Sequence, residues 1–279
     1  MLEQNDISVN GASYHTMRYG SQSAPALLLL HGFTGRGTNW ADLVPRLSEQ
    51  FSVIVVDILG HGRSASPSAR DRYTMPNIAS DLIALLDAWQ ISQTALLGYS
   101  MGGRLALYLA CHYPERFSHL ILESSSPGLA DEEERKKRRQ SDEVLANWIE
   151  ANGIEPFVAR WEALPLWASQ EQLSDAVRQR LHNQRLKNNP DGLANSLRGM
   201  GTGAQPSLWR QLAKINMPTL LIVGELDTKF VAINQQMAAQ LANGRFHLIP
   251  QAGHTTHLEQ PELFGTVVLN FLLCPSPCY

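Results

Sequence analysis

GYSMG, residues 98–102, is the stretch that decides the fold. An apolar run at 94–97 precedes it, and a helix-forming segment at 104–113 follows it. A strand that turns this sharply into a helix accommodates only small residues beside the turn, and it exposes the side chain at the turn. The stretch therefore predicts a nucleophile elbow with Ser100 as the candidate nucleophile. The alternative is an ordinary turn between a strand and a helix.

Strand and helix patterns alternate on both sides of this elbow. Short apolar runs that alternate with amphipathic segments are typical of a parallel sheet covered by helices on both faces, so the predicted fold class is α/β with a mostly parallel sheet. The predicted elements are an opening hairpin at 7–19, strands at 26–30, 53–58, 95–98, 119–123, 219–224 and 245–249, and helices at 78–89, 104–113, 231–241 and 261–273.

Residues 127–212 interrupt the alternation, because they contain helix-like segments but no convincing buried strand. An insertion that leaves the carboxyl end of a parallel sheet lies where such sheets hold ligands. We therefore predict that 1–126 and 213–279 form one core and that 127–212 form a helical cap over Ser100. The charged run at 131–139 has acids first and bases later, as expected for the exposed start of a helix.

Composition excludes several classes of protein. With 279 residues and 44% hydrophobic content the chain can bury one large core, and a formal charge of −3 provides no basic surface for nucleic acid. The polar segment 1–11 does not resemble a signal peptide, and no apolar run reaches the roughly 20 residues of a membrane span, so we expect a cytoplasmic protein without membrane insertion. The sequence does not predict the oligomeric state.

The three cysteines do not predict a metal site. Cys111 falls in the helix after the elbow and is expected to be a small buried side chain. Cys274 and Cys278 lie in a proline-rich tail with no nearby pair of histidines to complete a zinc site, so an accidental pair of cysteines in the tail is the favoured interpretation.

A serine hydroxyl needs an imidazole to accept its proton and usually a carboxylate to orient that imidazole. In α/β-hydrolases the order along the chain is serine, acid and histidine. This order predicts Asp227, after the strand that ends at Gly224, and His254, after the strand that ends near Pro250. The alternatives are Glu123 and Glu225 for the acid, and His31, His61 and His257 for the base.

Two glycine-rich loops follow strands in the first half of the chain. HGFTG, residues 31–35, has little side-chain bulk over its amides, so the N–H groups of Phe33 and Met101 are the predicted oxyanion hole; the alternative is a plain glycine turn. GHGRS, residues 60–64, has neither the lysine of a P-loop nor the spacing of a dinucleotide site, so we predict a loop that binds no phosphate.

The chain resembles the α/β-hydrolase superfamily over essentially its whole length. It also resembles a narrower family, MenH, the 2-succinyl-6-hydroxy-2,4-cyclohexadiene-1-carboxylate (SHCHC) synthases of menaquinone and phylloquinone biosynthesis. The stretches that carry this narrower resemblance are GYSMGGR at 98–104, ESSSPGL at 123–129, the arginine-rich segment 134–142, Arg185 with Asn188 and Asn189, GELDTKF at 224–230, and AGH at 252–254.

The resemblance implies a lyase that eliminates pyruvate from an enolpyruvyl cyclohexene carboxylate and uses no metal or cofactor. Such a substrate carries three carboxylates, and a trianion in a partly dry cleft must be paired with cations. The family match implies Arg104, Arg138 and Arg185 as anion binders, with Tyr99, Trp161 and Lys229 lining the pocket.

Each of these assignments has a structural alternative. Arg104 could pack on the elbow helix, Arg185 could cap a helix of the cap, and Trp161 could belong to the core of the cap. Arg138 is chosen among the basic residues of 135–139 by the family match alone.

Ser100, activated by His254 and Asp227, would remove a ring proton instead of forming an acyl-enzyme. The main alternative function is a serine hydrolase of esters or carbon-carbon bonds. A non-catalytic receptor is a second alternative, although a binding protein has no need of the whole serine, acid and histidine set.

Overall fold

The computed structural model describes residues 2–274, which form an eight-stranded sheet in the order β1-β2-β4-β3-β5-β6-β7-β8. The strands β3 to β8 run parallel, and the opening hairpin adds β2 and β1 antiparallel at one edge. The strands are β1 (Leu2–Val9), β2 (Ala12–Tyr19), β3 (Ala26–Leu30), β4 (Ser52–Val56), β5 (Thr94–Tyr99), β6 (Phe117–Glu123), β7 (Thr219–Gly224) and β8 (Gly244–Ile249).

Ten α-helices flank this sheet or form the insertion between β6 and β7 in the described part of the chain. They are α1 (Val44–Leu47), α2 (Met75–Ala88), α3 (Met101–His112), α4 (Glu132–Asn152), α5 (Ile154–Glu162), α6 (Asp175–Leu186), α7 (Pro190–Met200), α8 (Thr228–Ala238), α9 (Thr256–Glu259) and α10 (Pro261–Leu273). Short 3₁₀ helices cover Gly37–Trp40, Arg70–Tyr73, Pro114–Arg116, Pro165–Gln172 and Trp209–Lys214.

The central strands are apolar throughout because both faces of the sheet are covered. Leu28 and Leu30 of β3 belong to the core under α2 and α3, whereas Leu27 and Leu29 belong to the core under α1 and α10. Successive side chains of a strand point to opposite faces, and burying each leucine contributes about 1.5 to 3 kcal/mol. The apolar runs in the sequence therefore predict these strands correctly.

Helices α4 to α7 carry a small core of their own, which includes Ile149, Phe157 and Leu197. The side chain of Asp131 caps α4 by accepting the N–H of Glu134 at 2.8 Å, so the charged run does begin an exposed helix, as predicted. No strand lies between β6 and β7 in the described chain. The domain boundaries at 126/127 and 212/213 stay a prediction.

Several element boundaries differ from the predicted ones. β1 begins at Leu2 and not near 7, because an exposed edge strand of mostly polar residues has no apolar signal. α3 begins at Met101, directly after the elbow, and α8 begins at Thr228, directly after Asp227, whereas both were expected three residues later. No helix within residues 2–274 is long and apolar enough to cross a bilayer.

Candidate active site

Ser100 stands at the turn from β5 into α3 with a strained backbone, φ 49° and ψ −107°. Its N–H donates to the carbonyl of Glu123 at 2.9 Å, which ties the turn to the end of β6. A Cβ on Gly98 would lie 2.4 Å from the oxygen of Gly102, and a Cβ on Gly102 would lie 2.3 Å from the oxygen of Leu30. The two glycines are therefore required by close backbone contacts, and the segment has the elbow geometry that the sequence predicts.

Three strand ends bring Ser100, Asp227 and His254 together. The Nδ1 of His254 lies 2.6 Å from Oδ2 of Asp227, and its Nε2 lies 3.0 Å from Oγ of Ser100. With the Nδ1 proton donated to the carboxylate, Nε2 is left as the acceptor for the serine hydroxyl. The side chains of Asp227 and His254 are 6% and 2% exposed, so little water competes for this contact. The arrangement can take a proton through Ser100.

Two of the rival residues pair with each other and not with Ser100. The Nδ1 of His257 lies 2.8 and 2.9 Å from the two carboxylate oxygens of Glu123, and both side chains are buried. Glu123 also accepts the hydroxyl of Thr256 at 2.6 Å. The ring of His257 packs against Trp40, with centroids 4.4 Å apart. This second acid–histidine pair lies within the packed core.

The histidines of the glycine-rich loops are neutral structural groups. His31 donates from Nδ1 to the Gly32 carbonyl at 2.8 Å and accepts the N–H of Ile58 on Nε2 at 2.9 Å, and burial lowers its pKa to about 4. Burial and the neighbouring His31 lower the pKa of His61 to about 3. Glu225, the remaining rival acid, is exposed and accepts a backbone N–H at 3.1 Å.

A cavity of about 280 Å³ lies between Ser100 and the helices of the insertion. It is lined by residues that follow β5 and β6, by residues of α3, α4, α5, α7 and α8, and by the segments beside them. Eight of the eleven site residues predicted from the sequence line it: Phe33, Ser100, Met101, Arg104, Arg138, Trp161, Lys229 and His254. Asp227 lies behind His254, and the oxyanion-hole role of the Phe33 and Met101 amides stays a prediction.

Cationic side chains line this cavity. Arg104 donates from one terminal nitrogen to the Met200 carbonyl at 2.6 Å and to Gln205 at 3.1 Å. Burial, followed by the repulsion of Arg138, lowers the pKa of Arg104 to about 10. Arg138 uses its Nε to bind Asp142 at 2.8 Å. Two guanidiniums and Lys229 line the cavity, and no carboxylate is among its lining residues, so the cavity suits an anionic ligand.

Tyr99 and Arg185 lie beside this cavity and not on its wall. Both line a smaller pocket of about 30 Å³, which shares Phe33 with the cavity. Arg185 donates to Glu162 at 2.8 Å, and its guanidinium lies 5.5 Å from the centre of the Trp167 ring. The Trp167 ring in turn lies 5.7 Å from the ring of His254. The substrate-binding roles expected of Tyr99 and Arg185 stay predictions.

Trp161 combines its two expected roles in one position. Its ring packs against Phe157 of the insertion at 5.8 Å and against Phe33 of the sheet core at 5.3 Å, and the residue also lines the cavity. Its indole Nε1 is buried without a hydrogen-bond partner among the described residues. A buried, unpaired N–H next to a cavity is a donor for whatever fills it.

Sequence reasoning missed Asp142 and Trp167. Asp142 had a usable signal, since it follows Arg138 by four residues and so lies on the same face of a helix. Trp167 had none, because nothing in its local sequence separates an aromatic residue that packs on His254 from one that fills the core of the insertion.

No group of three or more His, Cys, Asp or Glu side chains among residues 2–274 is arranged to hold a metal ion. Cys111 lies half-buried in α3, and burial raises the pKa of its thiol to about 12. Cys274 is the last residue that the structure describes, and Cys278 lies outside the described residues, so the interpretation of the two tail cysteines as an accidental pair stays a prediction.

Comparison with known proteins fits this geometry. Residues 25–261 match the family model described as alpha/beta hydrolase fold. A protein of Bacillus subtilis (strain 168) with the provisional name 2-succinyl-6-hydroxy-2,4-cyclohexadiene-1-carboxylate synthase is 46% identical over 94% of this chain and 96% of its own length. The chain belongs to the SHCHC synthase family of α/β-hydrolases. The predicted fold class is confirmed.

Two further members of the SHCHC synthase family support the assignment. The synthase of Photorhabdus laumondii is 34% identical over 91% of this chain and 87% of its own length. The solved structure of MenH from S. aureus superposes with a TM-score of 0.89 at 37% identity, over 93% of this chain and 97% of that one. The likeness therefore covers the insertion as well as the sheet.

Proposed function

We propose that this protein eliminates pyruvate from 2-succinyl-5-enolpyruvyl-6-hydroxy-3-cyclohexene-1-carboxylate to give SHCHC, in menaquinone or phylloquinone biosynthesis. The observation that carries the proposal is a Ser100–His254 pair that opens into a cavity lined by Arg104, Arg138 and Lys229. The relatives named as SHCHC synthases match nearly the whole chain. The proposal includes a small tricarboxylate as substrate, neither nucleic acid nor membrane as partner, and a cytoplasmic location.

The names of substrate and product define which bonds change. The hydrogen on ring carbon 2 leaves, the double bond moves from C3=C4 to C2=C3, a second forms between C4 and C5, and the bond from C5 to the enolpyruvyl oxygen breaks. The released enolpyruvate takes up a proton and becomes pyruvate. The reaction therefore needs one base, a site for developing negative charge, and cations for three carboxylates.

The residues around the cavity can meet these needs. His254, oriented by Asp227, accepts the hydroxyl proton of Ser100, and the serine oxygen takes the proton from ring carbon 2. The N–H groups of Phe33 and Met101 stabilise the enolate that develops. The cations of the cavity hold the carboxylates, and the 127–212 insertion excludes water above them.

Pyruvate release provides the direct test. Purified protein is given the enolpyruvyl substrate, and pyruvate is followed through lactate dehydrogenase by the loss of NADH absorbance. We expect turnover by the wild-type protein, none by Ser100→Ala, and negligible hydrolysis of a small neutral ester. Ester hydrolysis with an acyl group accumulating on Ser100, and no pyruvate, would instead identify a serine hydrolase.

The serine hydrolase remains the second candidate because it uses the same Ser100, His254 and Asp227 geometry. A neutral ester has no use for two guanidiniums in a partly dry cavity, and this favours the tricarboxylate. A receptor without catalysis has no use for the contact from His254 to Ser100, and tight binding of substrate without turnover would revive it.

A further inference from the structure

The main chain on both sides of His254 is held by a single carboxylate, that of Glu259. The N–H of Gly253 donates to its Oε2 at 2.6 Å, and the N–H of Thr255 donates to its Oε1 at 3.0 Å. The hydroxyl of Thr255 donates to the same Oε1 at 2.6 Å. One side chain therefore bridges the residues before and after the histidine with three charge-assisted hydrogen bonds.

The position of Glu259 in α9 keeps this carboxylate in place. Its own N–H donates to the Thr255 carbonyl at 2.9 Å, so the residue is fixed to the loop through its backbone as well as through its side chain. Because both flanking amides are fixed, the backbone of His254 has little freedom to move. The ring that it carries is therefore held near Asp227 and Ser100. The position of this ring matters for catalysis, because a shift of about 1 Å in a reacting group can lower the rate about 100-fold.

The insertion contacts the same loop from the other side through the 3₁₀ helix Pro165–Gln172. Gln170 donates from Nε2 to the hydroxyl oxygen of Thr255 at 2.9 Å, and both residues are buried. A Cβ on Gly253 would lie 2.1 Å from Oγ of Ser169, so the helix packs directly on the loop. The loop is therefore enclosed between Glu259 and the insertion.

We propose that Glu259 is a positioning residue that sets the orientation of His254 by fixing the two amides beside it, and that Gln170 extends this hold to the insertion. The inference rests on the proposed function only in assigning proton transfer to His254. Glu259 itself touches neither Ser100 nor the ring of His254 in the hydrogen-bond network. Its effect must therefore pass through the histidine.

The variant that tests this is Glu259→Gln, which keeps the shape of the side chain and replaces one acceptor oxygen by an amide nitrogen that cannot accept an N–H. Glu225→Gln is the matched control, because Glu225 also accepts an amide of this loop, that of Gln251, but three residues before the histidine. We expect kcat to fall about 10- to 100-fold in Glu259→Gln with KM within about twofold, and kcat to change less than about twofold in the control.

A second readout does not depend on the substrate. The His254 Nδ1 proton in its 2.6 Å contact with Asp227 is expected as a downfield signal in the proton NMR spectrum, and its absence in His254→Ala assigns it. Glu259→Gln should shift or broaden this signal, and Glu225→Gln should leave it unchanged. An unchanged signal with unchanged kcat in folded Glu259→Gln would overturn the proposal.

A double-variant cycle separates positioning from general loosening of the structure. In the His254→Ala background, adding Glu259→Gln should leave the residual rate unchanged, because there is no ring left to orient. A further loss in that background would contradict the proposal. Should Glu259→Gln not fold, Glu259→Asp takes its place, since a carboxylate one methylene shorter keeps the charge and cannot bridge both amides.

Gln170→Leu tests the contribution of the insertion, and we expect a fall in kcat of about 3- to 10-fold, the worth of one neutral hydrogen bond. Equal kcat in Gln170→Leu and wild type would remove Gln170 from the proposal. If wild-type protein releases no pyruvate while Glu259→Gln still shifts the NMR signal, then the proposed function fails and the positioning role stands.

Discussion

Residues 2–274 contain two acid–histidine pairs in which both side chains are buried, Asp227–His254 and Glu123–His257. The two pairs differ in what the second ring nitrogen of the histidine contacts. In both pairs Nδ1 lies within 2.9 Å of a carboxylate oxygen. The far nitrogen of His254 reaches Oγ of Ser100, whereas the ring of His257 is packed against Trp40. A paired acid and histidine are thus not enough for proton transfer, which also needs a reactive group and an open cavity at the other ring nitrogen.

The ring of Tyr99 separates the two pairs. Its centroid lies 5.5 Å from that of His254 and 4.9 Å from that of His257. Burial, together with the charge of Glu123, raises the pKa of Tyr99 well above its usual value. Tyr99 therefore stays neutral, and its ring lies between one pair that faces the cavity and one that is buried in the packed core.

The largest difference between the two pairs is expected when each histidine is replaced in turn. His254→Ala and Ser100→Ala should each lower kcat at least about 10⁴-fold, and the double variant should lose little more, because the two side chains act as one unit. His257→Asn should keep kcat within about fivefold. The rates are measured as pyruvate release, and a loss in His257→Asn equal to that in His254→Ala would contradict the assignment.

Removing the charge of each acid is the next test. Asp227→Asn should lower kcat about 10²- to 10⁴-fold with little change in the free energy of unfolding. Glu123→Gln should instead lower the free energy of unfolding by about 1 to 3 kcal/mol, because the buried donors of Thr256 and His257 lose a charged acceptor. Denaturant unfolding and kinetics on both variants should give opposite patterns, and the same pattern in both would refute the distinction.

Replacing the cations near His254 is expected to have a smaller effect, which is on KM. His254 faces a cavity with cations, so Arg104→Ala and Arg138→Ala should each raise KM about 10- to 100-fold through a lost contact with a substrate carboxylate. Arg139→Ala is the control for Arg138, because the neighbouring Arg139 binds Glu132 and the Gly203 carbonyl instead of lining the cavity. Equal KM for Arg138→Ala and Arg139→Ala would show that Arg138 does not bind a substrate carboxylate.

The last test concerns the pH dependence of stability that follows from the neutral ring pair His31 and His61, whose pKa values are lowered to about 4 and about 3. In the unfolded chain these imidazoles take up protons below about pH 6.5, while the folded protein resists protonation until its lower pKa is reached. The free energy of unfolding should therefore fall between about pH 6.5 and pH 4, by up to about 1.4 kcal/mol per pH unit for each group.

The matched variant for this pH effect is His31→Gln. Its stability should decline less steeply than that of the wild type over the same range, as measured by denaturant unfolding at several pH values. Parallel curves for the two proteins would show that His31 does not carry the effect.

The sequence by itself determined the parallel sheet, the elbow at Ser100 and the chain order that selects Asp227 and His254. These are local properties: a run of apolar residues predicts a strand buried on both faces, and small residues around a serine predict a sharp turn. The edge strand β1 was predicted too short because a solvated strand carries no apolar signal.

Only the tertiary structure decided how the rival residues are used. Glu123 and His257 were alternatives for the catalytic acid and base until the packing of β6 against α9 showed that they pair with each other. The contacts of Asp142, Trp167 and Glu259 were likewise found only in the folded structure. The physical reason is that a distance between side chains on separate elements depends on how those elements pack, and no local pattern in the chain encodes that distance.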